Sequence, residues 1–273
     1  MRDADSVTVV DQVLRAETHT AEFYEALAAA SPTELVAVVG LHRHANPSVR
    51  RSAAGVLPFL VELMDPPADA VDALIALTAD VDDRVRDYAC FGLGQQCREL
   101  DSTAIRDALA ARVDDIDVDT RCEALLGLAY RHDPRALSHI RDALTRTNGE
   151  VWILELRAAG ALGDPTLHPV VAPHLDGWAE PEAAVVDAVY RLTDPDGVGA
   201  DVLGGIAELY RRRAHGQPDG DNLAWWHRME IMLDIAPDRV TQFLDAVAAL
   251  LDDDKAASEQ LLHQSALSTF VHG

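Results

Sequence analysis

The sequence predicts an all-α fold, a right-handed α-α superhelix in which helix pairs stack one on the next. Three observations predict it. Of 273 residues, 48% are hydrophobic but only 5% aromatic, and helix formers outnumber strand formers. A motif recurs at nearly constant spacing: "NPSVRRSAAGVLP" (46–58), "DDRVRDYACFGLG" (82–94) and "DVDTRCEALLGLA" (117–129). Its arginines, Arg50, Arg86 and Arg121, stand 36 and 35 residues apart. Between these copies lie helix-start signals, so each unit reads as helix, turn, helix. A single pair cannot bury its apolar face, whereas stacked pairs share a continuous core.

The elements follow in order. Residues 7–30 read as two capping helices, the core of an N-terminal cap over 1–30. Ser31 with Glu34 forms a capping box that opens a helix over 32–42, paired with one over 47–62. The pairs 68–79 with 83–99 and 102–113 with 118–131 carry the strongest copies of the motif. Asp133-Pro134, Asp164-Pro165 and Asp194-Pro195 each read as a helix start, with the carboxylate capping free N–H groups and proline in the first turn. They set pairs at 134–146 with 150–162 and 165–176 with 181–192. In these the motif decays. Ala158, Leu162, Ala188 and Leu192 remain, but Glu155 and Val185 occupy the arginine slot. About five repeats thus span 31–195. A divergent cap over 196–273 reads as helices near 199–214, 221–235, 238–251 and 255–270, and the whole is expected to be one domain.

Asp82, Val85, Arg86, Ala89, Leu93 and Gly94, and again Asp117, Arg121, Ala124 and Leu128, resemble the HEAT repeat family, in particular the short HEAT-like repeats of bacteria. The resemblance implies that the turn acid and helix arginine form a ladder between repeats, through Asp82, Arg86, Asp117 and Arg121. It also implies that the second helix of each pair lines a concave face.

Charge restricts the partner. The net charge is −23, from 46 acids against 23 bases. Residues 65–120 alone hold 14 acids and 5 arginines. Such a surface repels nucleic acid and anionic membrane and attracts cations. The chain opens without a basic start or apolar core, so no signal peptide is expected, and no apolar run reaches membrane-spanning length. Three cysteines, Cys90, Cys97 and Cys122, form no C-x-x-C pair and fit a reducing cytoplasm, with core packing as their role.

Chemical motifs are missing from the sequence. It contains no H-E-x-x-H, no His-Glu dipeptide, no G-x-S-x-G and no phosphate-binding glycine loop, so no catalytic residue, metal or cofactor is expected. The family also contains glycosylases that excise alkylated DNA bases and lyases that handle bilins. The first uses a basic groove that this acidic chain lacks, and nothing distinguishes the second. The sequence therefore predicts a non-enzymatic scaffold for a basic protein or peptide. Its candidate contacts are side chains the repeat leaves free: Arg51, Arg84, Asp87, Tyr88, Phe91, Glu123, Tyr130 and Trp152. Aromatic anchors with acidic neighbours suit a cationic ligand.

Overall fold

The computed structural model describes residues 7–18, 20–147 and 149–271, with side chains described up to 263. Residues 1–6 of the expected N-terminal cap, His19, Asn148 and the last two residues lie outside this set. The described residues form helices and no strand. They divide into two compact units, Met1–His139 and Ile140–Gly273.

In the first unit, α1 (Val9–Leu14) and α2 (Ala21–Ala28) precede three pairs. These are α3 (Pro32–Gly40) with α4 (Pro47–Leu63), α5 (Ala68–Leu77) with α6 (Asp83–Phe91), and α7 (Thr103–Ala110) with α8 (Val118–Tyr130). The second helices pack in succession, α4 on α6 and α6 on α8. The first helices do the same, α3 on α5 and α5 on α7. This is solenoid stacking, and the recurring Ala89, Ala124, Leu93 and Leu128 are all fully buried in it.

Local chemistry sets the helix boundaries. Ser31 and Glu34 form the expected capping box at the start of α3, with Oε2 of Glu34 accepting from the Ser31 N–H at 3.0 Å. Asn46, Asp82 and Asp117 cap α4, α6 and α8 by accepting from Ser48, Val85 and Thr120 N–H groups.

The ladder exists but uses other acids than expected. Arg50 makes a two-pronged pair with Asp80 at 2.6 and 2.8 Å, and Arg86 one with Asp115 at 2.9 and 2.7 Å. Each acid stands two residues before the capping aspartate. Asp82 and Asp117 are committed to their helix N-termini instead. Oδ1 of Asp80 and of Asp115 also accepts the N–H of Asp82 and Asp117, at 2.9 and 3.0 Å. Each arginine further donates to its own turn's carbonyls: Arg50 to His44 and Ala45, Arg86 to Asp80 and Val81, Arg121 to Asp115 and Ile116.

The far end of α6 departs from a plain helix. Gly92–Gln96 forms a π turn, with the Cys97 N–H donating to Gly92 O at 2.8 Å. Here the backbones of neighbouring repeats nearly touch. A Cβ on Gly94 would sit 2.9 Å from Glu123 O, and one on Gly127 would sit 2.6 Å from the Gly94 Cα. The carbonyls released by the π turn are collected by Arg131, which is only 5% exposed. It donates to Leu93, Cys97, Gly127 and Leu100 at 2.7–2.9 Å.

The second unit holds α10 (Ile153–Leu162), α12 (Glu182–Leu192), α13 (Ala200–Ala214), α14 (Leu223–Ile235), α15 (Val240–Leu250) and α16 (Lys255–Val271), with α10 on α12 and α12 on α14. The helix α9 (Arg135–Thr145) begins in the first unit. The stretch expected as one helix over 165–176 is broken. It becomes a 3-10 turn at Pro165–Leu167, the short α11 (His168–Val171) and a 3-10 turn at Ala172–His174. Pro165, Pro169 and Pro173 each remove an N–H donor from the ladder of helical bonds. Asp194-Pro195 starts a turn rather than a helix, and α13 begins at Ala200. Glu155, in the arginine slot, is 4% exposed and pairs with Arg146, which reverses the charge order of the first unit's rungs.

Burial alone would raise the carboxyl of Asp115. The hydrogen bonds from Arg86 and the Asp117 N–H, with the charges of Arg86 and Arg112, outweigh it and hold the group below its ordinary value. Its contribution to stability is therefore present above about pH 4 and is lost on acidification below it. Arg86→Ala leaves this buried carboxylate with only Arg112 at 3.4 Å and the Asp117 N–H, and should cost about 2–3 kcal/mol in urea unfolding. Arg121→Ala, which removes described bonds to carbonyls only, should cost about 1 kcal/mol.

Candidate functional site

Four side chains share one stripe along α6 and its π extension: Arg84, Tyr88, Phe91 and Gln95. Their spacing of four, three and four residues keeps them on one face. The buried positions Val85, Arg86, Ala89 and Cys90 turn inward, which sends this stripe outward. Tyr88 and Phe91 are each 37% exposed, so neither is filling a gap in the core. The Tyr88 ring lies beside α4 at Gly55, where a Cβ would stand 3.4 Å from its Cδ1. The lack of a side chain at Gly55 is what seats the ring. On the same helix Phe59 packs against Tyr24 of α2, with centroids 4.7 Å apart.

The neighbouring row on α8 is less open. Glu123 is 8% exposed and accepts a hydrogen bond from Nε2 of Gln95 at 2.6 Å. It joins the two rows instead of standing free on the surface. Tyr130 is half-buried beneath the guanidinium of Arg98, 5.8 Å from the ring centroid. Arg51 is half-buried on α4, and Arg84 is exposed on α6. Trp152, 45% exposed, belongs to the second unit. It precedes α10, and its N–H donates to Glu155. The structure thus brings Arg84, Asp87, Tyr88 and Phe91 together on α6, with Glu123 and Tyr130 on the adjoining α8.

Asp87 is the unusual group. It is half-buried toward α8, and no described side chain or N–H is bonded to it. Burial, followed by the charges of Asp119, Asp117 and Asp83, pushes its pKa up to about 6. Four nearby acids are satisfied, Asp80 and Asp115 by arginine and Asp82 and Asp117 by helix N-termini, while Asp83, Asp114 and Asp119 are exposed. In the free protein at neutral pH Asp87 is a charged carboxylate that feels the charges of Asp119, Asp117 and Asp83.

Sequence reasoning missed Gln95 as the link to Glu123 and missed Arg131 entirely. A lone arginine outside the repeat motif carries no signal of its buried task.

Groups that invited a chemical role have structural tasks. His168 and His174 bond to the Tyr190 and Leu144 carbonyls, and His42 bonds to Val39 O. Among the described residues no group of three or more His, Cys, Asp or Glu is placed to hold a metal ion. Cys90, Cys97 and Cys122 are buried and form no disulfide with one another, and burial pushes Cys97 up to about 11. In the "WWHRMEIM" stretch, Met229 and Met232 are core. Trp225 and Trp226 are half-buried, Trp225 against Gly205 and beneath Arg228, Trp226 donating to Glu230. Among the described residues no helix is long and apolar enough to cross a membrane.

These features define an all-α protein of stacked helix pairs with a mixed aromatic and acidic face on its first unit. No family model matches the chain. It is similar to Protein YibA of Escherichia coli, from strains K12 and O157:H7, at 36% identity over 124 residues. That match covers 45% of this chain and 41% of each relative, so it spans less than half the length of the curated relatives. The X-ray structure of the E. coli YibA protein aligns with a TM-score of 0.48 at 24% identity, over 67% of this chain and 60% of that one.

Because the folded state holds the Asp87 pKa up, it takes up a proton more readily than the unfolded chain. This group therefore favours folding below about pH 4, and that benefit is lost as pH rises through about 6. Asp87→Asn should raise unfolding free energy at pH 7.5 by on the order of 1 kcal/mol, after allowance for solvent screening. The gain should vanish at pH 4, read by urea melts at both pH values.

Proposed function

We propose that the chain is a non-enzymatic scaffold of the HEAT-like kind, acting in the cytoplasm, that binds a basic protein or peptide segment across α4, α6 and α8. The observation that carries this reading is Asp87. It is a partly desolvated, unpaired carboxylate beside two exposed aromatic rings. A group that weakens the free protein makes physical sense where a ligand supplies its missing cation. An arginine or lysine placed there would satisfy Asp87 and find Asp83 and Asp119 nearby, while Tyr88 and Phe91 offer ring faces to its alkyl stem and charge. The same acids weigh against a nucleic-acid duplex and so against base excision.

A fluorescent arginine-rich decapeptide titrated against the protein tests this. Binding should weaken about tenfold or more as salt rises from ~0.1 M to ~1 M, as the screening length shrinks from ~10 to ~3 Å. Tyr88→Ala with Phe91→Ala should weaken it about tenfold, equivalent to ~1.4 kcal/mol. Lowering the pH from 7.5 to 5 should weaken binding to the wild type, because protonated Asp87 no longer attracts a cation, and should affect Asp87→Asn less. Binding insensitive to salt and to both variants would remove the proposal.

A further inference from the structure

The ladder has a by-product on the surface. In each rung the aspartate side chain spans its turn to the N–H two residues on, and the following arginine holds the turn carbonyls from inside. The residue between the two aspartates is therefore pushed out. In two successive repeats it is a β-branched aliphatic: Val81, 93% exposed, and Ile116, 92% exposed. Turns ordinarily carry Gly, Pro, Asn, Asp or Ser at such places. A single exposed aliphatic is commonplace. Two at the same repeat position, on backbone held from below by the guanidinium groups of buried Arg86 and half-buried Arg121, form a fixed apolar edge.

We propose that this turn edge is a docking surface for a cationic segment of another protein that carries aliphatic side chains. The occupant is fixed by charge. The edge is bordered by the exposed carboxylates of Asp83, Asp114 and Asp119, while Arg86 and Arg121 are turned inward to backbone carbonyls. A second copy of the chain would bring a further −23 charges to the same place, which opposes self-association. A cationic segment with alternating aliphatic residues meets both the acids and the apolar tips, and its extended backbone places residues about 6–7 Å apart on one side.

The test separates this surface from the aromatic face. Two peptides of equal charge, one alternating leucine and arginine and one alternating serine and arginine, are titrated against protein already carrying Tyr88→Ala and Phe91→Ala. In that background the leucine peptide should bind at least about fivefold tighter than the serine peptide, and adding Val81→Ser with Ile116→Ser should abolish the difference. Both edge residues are almost wholly exposed, so the fold should survive, as an unchanged melting temperature will show. Equal binding of the two peptides before the edge is altered would overturn the proposal. So would a dimer of the wild-type chain in sedimentation that Val81→Ser with Ile116→Ser dissociates, since a second copy would then be the occupant. The aromatic face is judged separately, by its own variants in an otherwise unchanged chain.

Discussion

The buried pair of Arg86 with Asp115 is the contact on which the first unit turns. Both groups are under a tenth exposed. Burying two charges costs several kcal/mol per ion, and their attraction repays it only with good geometry and further hydrogen bonds. Here every extra bond is made. The carboxylate also takes the Asp117 N–H, and the guanidinium also takes the turn carbonyls. The pair is therefore better read as a device for register than as a source of net stability. It ties the start of α6 to the turn before α8, and Arg50 with Asp80 repeats the tie one unit earlier.

Fixing one end of a helix leaves its other end to swing, and the second constraint sits there. Gly94 and Gly127 bring the π turn and α8 to backbone contact, and Arg131 donates to carbonyls of both, Leu93 and Cys97 on one side and Gly127 on the other. In the second unit Arg239 does a comparable task, donating to Leu192 and Gly163 carbonyls at the ends of α12 and α10. Arginine suits this work because it stays charged when buried and its five donors fan out in a plane. With α6 pinned at both ends, its rotation is set, and so is the outward stripe of Arg84, Tyr88 and Phe91.

Much of this was legible in sequence because it repeats. The helix pairs, the Ser31 box and the aspartate caps follow from spacing and local chemistry, and the buried Ala89 and Leu93 follow from periodicity. What was not legible depends on tertiary partners. Asp80 and Asp82 are the same residue type two places apart, and only the position of Arg50 decides which becomes the rung. The π turn at "GLGQQ" is compatible with ordinary helix until α8 presses on it. At the site, the exposure of Tyr88 and Phe91 could be read by subtracting core positions. The burial of Glu123 could not, because it depends on Gln95 reaching across from the preceding repeat.

The acids of one short region thus fall into two physical classes. Asp80 and Asp115 are held below their ordinary values by arginine, and they support the fold at neutral pH. Asp87, one helical turn past its N-terminus, is pushed the other way by burial and by Asp119, Asp117 and Asp83. Arg50 and Arg86 are committed to the rungs, and Asp83, Asp87 and Asp119 are left outside them. Net negative charge alone describes solubility. An unmatched carboxylate at a fixed position, half desolvated and beside exposed rings, is the feature on which the proposed binding of a cation with an apolar stem rests.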